Sequence, residues 1–183
     1  MRKVLLTLFA LLLFAVNANS QVYGRASKAL SLEDNSFVGI IWEPTGTVNY
    51  TEIEGNPSYG LVVVITTSNQ YLDVEPGNKI SIEFTDDTRE VCEIGVTDKS
   101  YNNMVSSGRV VEMFSRNMLI HPNFDNMTSK QIKRIVIQRD NGNVWIINTK
   151  PKRAKKLVSE FQNAMKEAKA DYQTRVTNED YFK

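Results

Sequence analysis

Residues 135–149 read IVIQRDNGNVWIINT, and the two apolar runs around the Asn-Gly dipeptide predict a β-hairpin. Asn and Gly both tolerate the positive φ values of a type I′ turn, whose twist matches that of antiparallel strands. Pairing outward from such a turn sets Ile137 opposite Ile146 on one face. On the other face, Val136 lies near Ile147. Both faces are therefore predicted to be apolar, so that one lines the main core and the other needs a cover of its own.

A predicted helix directly after this hairpin supplies the cover. Over residues 151–172, apolar residues recur at steps of three or four, the spacing of an amphipathic helix of about six turns. Pro151 suits the first helical position, because its ring fixes φ near the helical value. We expect Leu157 and Phe161 to pack on the back of the hairpin, and residues 174–183 to form a tail.

The chain between the N-terminal region and this helix reads as a series of short strands separated by turns. β-branched and aromatic residues dominate the strands, and Gly, Pro, Asn and Asp mark the turns. The candidate strands are 37–42, 48–53, 60–68, 79–84, 89–96, 110–120, 132–139 and 143–149. This pattern predicts a mainly β fold with α: an antiparallel barrel or sandwich of about seven strands, closed by one C-terminal amphipathic helix.

The N-terminus has the pattern of a secretory signal peptide. Two basic residues precede an apolar run over residues 4–16, which is shorter than the roughly 20 residues of a membrane span. Ala18 and Ser20 fit the small-residue positions of a cleavage site before Gln21, and cleavage after Ala18 is the alternative. We expect residues 1–20 to be removed from an exported protein, periplasmic or secreted, without a transmembrane segment.

The rest of the chain is predicted to hold one domain. Residues 21–36 are polar and predict a flexible arm or a short helix, and residues 37–173 form the β-rich domain. The single cysteine, Cys92, has no partner for an intrachain disulfide, so a packed core has to hold the fold. Cys92 alternates with Ile94 and Val96, which predicts a buried strand position rather than a nucleophile.

Motifs of known catalytic or metal sites do not occur in the sequence. The single histidine, His121, cannot build a His-rich metal site, and HExxH, CxxC, GxSxG and glycine-rich phosphate loops are lacking. Asp86 and Asp87 are adjacent, but they lie in a predicted tight turn, where Asp is favoured for backbone reasons. The sequence therefore predicts a protein that is not an enzyme and has no cofactor or metal.

Charge is distributed unevenly along the chain. Residues 21–127 hold 7 Lys/Arg and 15 Asp/Glu, whereas residues 128–183 hold 13 and 6. The candidate binding residues crowd the start of the predicted helix: Lys150, Lys152, Arg153, Lys155 and Lys156. A cation close to the positive end of a helix costs roughly 0.3–1 kcal/mol, so we expect a negative partner.

Two partners for this basic cluster remain open at the level of sequence. The internal one is the acidic half of the protein itself, with Glu83, Asp86, Asp87, Glu90 and Glu93 on a neighbouring acidic hairpin. The external one is an anion such as a lipid head group, an envelope polysaccharide or the acidic face of another protein. Nucleic acid is not expected, because the protein is predicted to be exported and its formal net charge is only +1.

Two predicted loops, 55–60 and 97–109, are candidates for ligand contacts. Aromatic residues in or near them could form a carbohydrate platform: Trp42, Tyr50, Tyr59, Tyr71 and Tyr101. The alternative is that these aromatic residues belong to the core or to sheet faces, as is common in β proteins.

The segments KISIEFTDDTREVCEI and IKRIVIQRDNGNVWIINTKPKRAKKLVSEF resemble small exported proteins of unknown function that are common in Bacteroidetes. The resemblance covers roughly residues 79–165 and implies no catalytic residues. The element order is also similar to pleckstrin-homology-like barrels, in which a C-terminal helix plugs one open end. That similarity implies that a partner would use the other mouth and its loops.

Together these observations favour a non-enzymatic binding or interaction module of the periplasm or cell envelope. The alternative is a carrier of a small ligand in the barrel interior, which requires an unfilled space of a few hundred Å3. A carboxylate-dependent hydrolase is the remote alternative. The oligomeric state and the partner are left open.

Overall fold

The computed structural model describes residues 30–32, 44–68, 70–106 and 108–180. The predicted signal peptide and the candidate strand 37–42 lie outside these residues. The elements in chain order are β1 (Leu30–Ser31), β2 (Thr45–Ile53), β3 (Asn56–Thr67), β4 (Lys79–Phe84), β5 (Arg89–Glu93), β6 (Val96–Ser106), β7 (Arg109–Ile120), α1 (Phe124–Ser129), β8 (Ile132–Gln138), β9 (Val144–Asn148) and α2 (Pro151–Asp180).

The strands form two antiparallel sheets. The order is β1-β2-β3-β7-β6 in the first sheet and β5-β4-β8-β9 in the second. Only Ile94 and Gly95 separate β5 from β6, and the Gly95 N–H donates to the Leu119 carbonyl at 3.0 Å, so the chain passes directly from the second sheet to the first. The predicted mainly β fold with a C-terminal helix is confirmed. The arrangement is sandwich-like, and in the described residues it does not close into one seven-stranded barrel.

Side chains that alternate along the strands fill the space between the sheets. In β4, Ile80, Ile82 and Phe84 are buried, whereas the residues between them face outward, as the period of a strand requires. Cys92 is 7% exposed and belongs to the same core, which confirms the prediction for this residue. Burial raises the pKa of its thiol to about 11, so the reactive thiolate is scarce at neutral pH.

The β8–β9 hairpin forms, but its turn is not of the predicted type. The Gly142 N–H donates to the Arg139 carbonyl, and the Arg139 N–H donates to the Asn143 carbonyl, both at 3.0 Å. Gly142 has a φ of 80°, whereas Asn141 does not have a positive φ. These features indicate a three-residue turn that ends in a glycine bulge, rather than a two-residue type I′ turn.

This turn shifts the pairing of the two strands by one residue. Val136 lies opposite Ile146, and Ile135 lies opposite Ile147. Because side chains alternate between the two faces of a strand, the shift reverses the face of every β9 side chain. Ile147 is therefore buried in the main core, whereas Ile146 is 44% exposed on the back of the sheet. The predicted pairing of Ile137 with Ile146 is wrong.

Helix α2 covers the main core, not the back of the hairpin. Leu157 and Phe161 are buried in the same cluster as Ile147, between the sheets. The helix packs chiefly along β2 and α1. The prediction that α2 covers the second face of the hairpin is wrong, because the shifted register moves Ile147 into the core and leaves Ile146 outside.

The boundaries of the predicted domain also differ from the structure. Helix α2 continues to Asp180, so residues 174–180, predicted as part of a tail, are helical. Within the predicted arm over 21–36, strand β1 pairs with β2 and Leu32 is fully buried, so the prediction of a loose segment is wrong there.

Helix α1 was not predicted. It begins after Asn123, whose side chain accepts a hydrogen bond from a first-turn backbone N–H.

Both predicted ligand loops belong largely to strands. Glu54 and Gly55, with φ values of 51° and 77°, form a two-residue turn, and β3 begins directly after them. The positive φ values expected at the Asn-Gly dipeptide therefore occur at this turn instead. Most of the predicted loop 97–109 is β6, which pairs with β7 over its whole length. These segments were predicted as loops because their many polar residues mask the alternation of apolar and polar positions that identifies a strand.

Candidate functional site

The basic residues predicted as a binding site lie at the start of α2. These are Lys150, Lys152, Arg153, Lys155 and Lys156. The four lysines are exposed, but the Arg153 side chain is only 12% exposed. Arg153 donates two hydrogen bonds, at 2.8 and 2.6 Å, to the carboxylate of Glu160 on the same helix. Arg153 therefore has a structural role in α2, and the lysines form the surface.

The acidic hairpin, now β4 and β5 with their turn, forms its ion pairs elsewhere. They connect it to β8 and to the segment between α1 and β8: Glu83 with Arg134 at 2.7 Å, Asp86 with Lys130 at 3.0 Å, and Asp87 with Lys133 at 2.9 Å. Across the described part of the chain, no carboxylate lies within ion-pair distance of Lys152, Lys155 or Lys156, which we call the lysine patch. The prediction that the acidic hairpin is the partner of these three residues is therefore wrong.

The pKa shifts reflect the same pairing. Hydrogen bonds from Thr88 and Lys130 lower the pKa of Asp86 to about 2. The hydrogen bond from Arg134 lowers the pKa of Glu83, and the same contact raises the pKa of Arg134. These carboxylates are charged at neutral pH and already engaged by neighbouring cations.

The position of the lysine patch on α2 is electrostatically unfavourable. Its three ammonium groups lie in the first two turns, where the backbone N–H groups give the helix a partial positive charge. Lys152 and Lys156 are also four residues apart, a spacing at which like charges on a helix repel each other. An anion bound from outside would relieve both effects.

A second candidate site is a cleft at the turn end of the β8–β9 hairpin, away from the lysine patch. Its volume is about 240 Å3. The end of β3, the loop between β3 and β4, and the hairpin form its walls, with Thr67, Gln70, Tyr71, Leu72, Arg139 and Trp145 among the lining residues. The cleft opens to solvent at the rim of the space between the sheets.

The walls of this cleft are fixed by polar contacts. Arg139 forms an ion pair with Asp73 of the loop, and the Asp140 N–H donates to the Asp73 carbonyl at 3.0 Å. Farther along the loop, the buried side chain of Arg116 donates to the Val74 carbonyl at 2.9 Å. Val74 itself is fully buried. Loop and hairpin are therefore joined, so the shape of the cleft exists before any ligand binds.

The predicted aromatic platform does not exist as one surface. Tyr50 and Tyr59 pack edge to face at 4.9 Å, and Tyr172 of α2 packs against Tyr50 at 5.2 Å. Tyr50 is 2% exposed, and burial, with the hydrogen bond to Glu52, raises its pKa to about 12. Tyr50 lies in the core, and Tyr59 and Tyr172 pack against it, in agreement with the alternative prediction that these aromatic residues are structural. Trp42 lies outside the described residues.

The other two predicted aromatic residues lie close to the cleft. Tyr71 and Tyr101 flank Phe114 at 5.1 and 5.2 Å between ring centroids, and Tyr71 also lines the cleft. Sequence reasoning missed Trp145 and Arg139. The predicted register set Ile146 opposite Ile137, whereas Trp145 occupies that place on the core side. The glycine of the Asn-Gly dipeptide could have indicated this register, because a three-residue turn that ends in a glycine bulge shifts the strand pairing by one residue.

The remaining candidates for chemistry have structural roles in the residues described. His121 Nδ1 lies 3.0 Å from the Tyr59 carbonyl oxygen, at the end of β7. No group of three or more His, Cys, Asp and Glu that could hold a metal ion occurs in this part of the chain. The absence of enzymatic activity stays a prediction.

Comparisons with protein-family models, curated proteins and solved structures found no match to the chain. The resemblances to small exported proteins and to pleckstrin-homology-like barrels therefore stay predictions. Among the described residues, neither helix combines the length and the apolar character needed to cross a membrane.

Proposed function

We propose that this protein is a non-enzymatic interaction module of the periplasm or cell envelope that binds an anionic partner through the lysine patch. The observation that supports this function is an exposed cluster of cations at the positive end of a helix, without a carboxylate partner in the described residues. The location rests on the signal-peptide pattern of residues 1–20.

The partner is an anionic surface of the envelope, either an acidic protein, a polysaccharide or a layer of anionic lipid head groups. Lysine ammonium groups are hydrated point charges that bind carboxylates and phosphates without strict geometry. Binding is therefore expected to be salt-dependent, since the Debye length is only about 10 Å at 0.1 M ionic strength. Near an anionic lipid surface, each lysine contributes about 1 kcal/mol.

Reversing the charge of the patch tests this function. In the chain that begins at Gln21, we expect Lys152→Glu/Lys155→Glu to abolish co-sedimentation with isolated envelope membranes at low salt. The melting temperature should stay the same or rise, because acidic residues are favoured in the first turns of a helix.

The matched control is Lys166→Glu/Lys169→Glu, which makes the same change in charge on exposed positions of the same helix, farther from its start. This control is expected to retain most of the association. A lower melting temperature for Lys152→Glu/Lys155→Glu, together with undiminished association, would contradict the proposal and indicate an internal partner.

The alternative of a carrier with its ligand in an enclosed interior is less well supported. Large side chains fill the space between the sheets, with Phe84, Phe161, Ile80 and Met118 all buried. The cleft of about 240 Å3 lies at the rim of that space and not inside it.

A further inference from the structure

We infer that the cleft at the turn end of the β8–β9 hairpin binds one sugar ring of an uncharged saccharide. This inference is independent of the lysine patch, because the cleft lies near the other end of β9 and uses different residues. The inference rests on three features of the cleft: an aromatic wall, a charge-balanced polar rim and a preformed shape.

Trp145 supplies the aromatic wall. Its side chain is partly buried and packs against the core, and another part of it lines the cleft. A pyranose ring has one face of C–H groups, which packs on the flat apolar face of an indole. Tyr71 lines the same cleft, and its contact with Phe114, at an interplanar angle of 85°, holds the ring in place.

Arg139 and Gln70 supply the polar rim. The Arg139 side chain is 23% exposed, and its ion pair with Asp73, which lies outside the lining, balances its charge. A sugar hydroxyl is both a donor and an acceptor, so neighbouring hydroxyls match a guanidinium and a side-chain amide that line the same cleft. Because the two charges compensate each other, the rim offers hydrogen bonds without attracting an anion.

The size and rigidity of the cleft point to a single ring. Pockets for drug-sized ligands measure about 300–1,000 Å3, and this cleft of about 240 Å3 is smaller. Its loop is tied to the hairpin through the Asp140 N–H and to the first sheet through Arg116. Binding to such a preformed site loses little entropy to ordering of the protein.

Other ligand classes fit the cleft less well. A purely apolar molecule would remove water from Arg139 and Gln70 without offering them hydrogen bonds, which is costly. An anion would require a cation that is not already paired, whereas Arg139 is held by Asp73.

Tryptophan fluorescence provides the test. The chain has two tryptophans, so Trp42→Phe leaves Trp145 as the only one. In this variant we expect a saturable change in emission with at least one of glucose, galactose, mannose and N-acetylglucosamine, with a dissociation constant on the order of millimolar. No change with any of the four, or stronger binding of the apolar probe indole, would overturn the inference.

Two further variants assign the effect to the cleft. Asp73→Asn in the Trp42→Phe background removes the carboxylate that positions Arg139 at the lining of the cleft, and it is expected to weaken binding about tenfold. Ile146→Ala, on the exposed back of the same hairpin, should leave binding unchanged.

Lys152→Glu/Lys155→Glu is also expected to bind the sugar normally, which separates this site from the lysine patch. Equal affinity in the parent and in Asp73→Asn, or loss of binding in the lysine double variant, would overturn the assignment to this cleft.

Discussion

Asp86 and Asp87 are neighbours in one turn, yet each has its own contacts. Asp86 accepts hydrogen bonds from the Thr88 N–H at 3.1 Å and from the Thr88 hydroxyl at 2.5 Å, and it pairs with Lys130. Asp87 has a φ of 61°, and its carboxylate pairs with Lys133. Turn chemistry therefore accounts for the two aspartates, as the sequence predicted, and the ion pairs with Lys130 and Lys133 are contacts that only the structure reveals.

Asp86 gives a prediction for the pH dependence of stability. Its pKa is about 2 in the folded protein against an ordinary value of 3.8, so the folded state favours the charged form. This contribution is present above about pH 4 and is lost as the pH falls toward 2. We expect Asp86→Asn to melt at a lower temperature than the parent at pH 7, and the difference to close between pH 4 and pH 2.

Thermal melts by circular dichroism across this pH range measure the effect of Asp86→Asn. Asp98→Asn, an exposed aspartate on β6, is the control and should melt like the parent throughout. A difference between Asp86→Asn and the parent that stays constant from pH 7 to pH 2 would show that the carboxylate charge is not responsible.

Predictions for single residues succeeded where the local pattern defines the environment. Cys92 alternates with apolar neighbours on one strand, and this pattern alone places it in the core. Tyr71 and Tyr101 could not be distinguished from Tyr50 by sequence, because the local pattern does not show which other strands surround each ring. Only the pairing of distant strands separates a tyrosine in the core from one at a surface cleft.

At the scale of elements, the β8–β9 hairpin shows what a local sequence pattern can determine and what it cannot. Alternation of apolar residues identifies both strands, and the Asn-Gly dipeptide identifies the turn. The dipeptide is compatible with a two-residue turn and with a three-residue turn that ends in a glycine bulge. The two turns differ by one residue in register, so they send opposite faces of β9 into the core.

Substitutions at adjacent positions of β9 distinguish the two registers. Ile147 is buried, so we expect Ile147→Ala to lower the free energy of unfolding by about 2–5 kcal/mol. Ile146 is largely exposed, so Ile146→Ala should change it by about 0.5 kcal/mol or less. Urea denaturation followed by circular dichroism measures both values. With the predicted two-residue turn, Ile146 would lie on the same face as the buried Ile137, so a cost of about 2–5 kcal/mol for Ile146→Ala would contradict the observed register.

At the scale of the whole molecule, α2 closes the space that the two sheets leave open. Its buried residues Leu157, Phe161, Ala164 and Ala168 all belong to the main core. An isolated amphipathic helix is only marginally stable in water, so most of the stability of α2 comes from this packing. Because α2 is packed in this way, the lysine patch at the exposed start of the helix is held in a fixed position on the surface.

Phe161 gives the prediction for this scale. We expect Phe161→Ala to lower the free energy of unfolding by about 3–5 kcal/mol, because it removes a fully buried aromatic side chain from the core. Val176→Ala on the same helix is the control, since Val176 is 41% exposed and should cost about 0.5 kcal/mol or less. If urea unfolding gives equal values for both variants, α2 is not docked as described.

The sequence by itself determined the strands other than β1 and β6, the C-terminal helix, the buried face of β4 and the burial of Cys92, because these follow from the periodicity of neighbouring residues. The tertiary structure alone decided the register of β8 and β9, the ion pairs of the acidic hairpin and the cleft lined by Arg139 and Trp145. Each of these depends on contacts between distant residues, and the local sequence is compatible with several such contacts. The contact that forms is the one that lets the rest of the fold bury the most apolar surface. That choice is made by the whole fold, between residues as far apart in the chain as the 66 positions from Asp73 to Arg139.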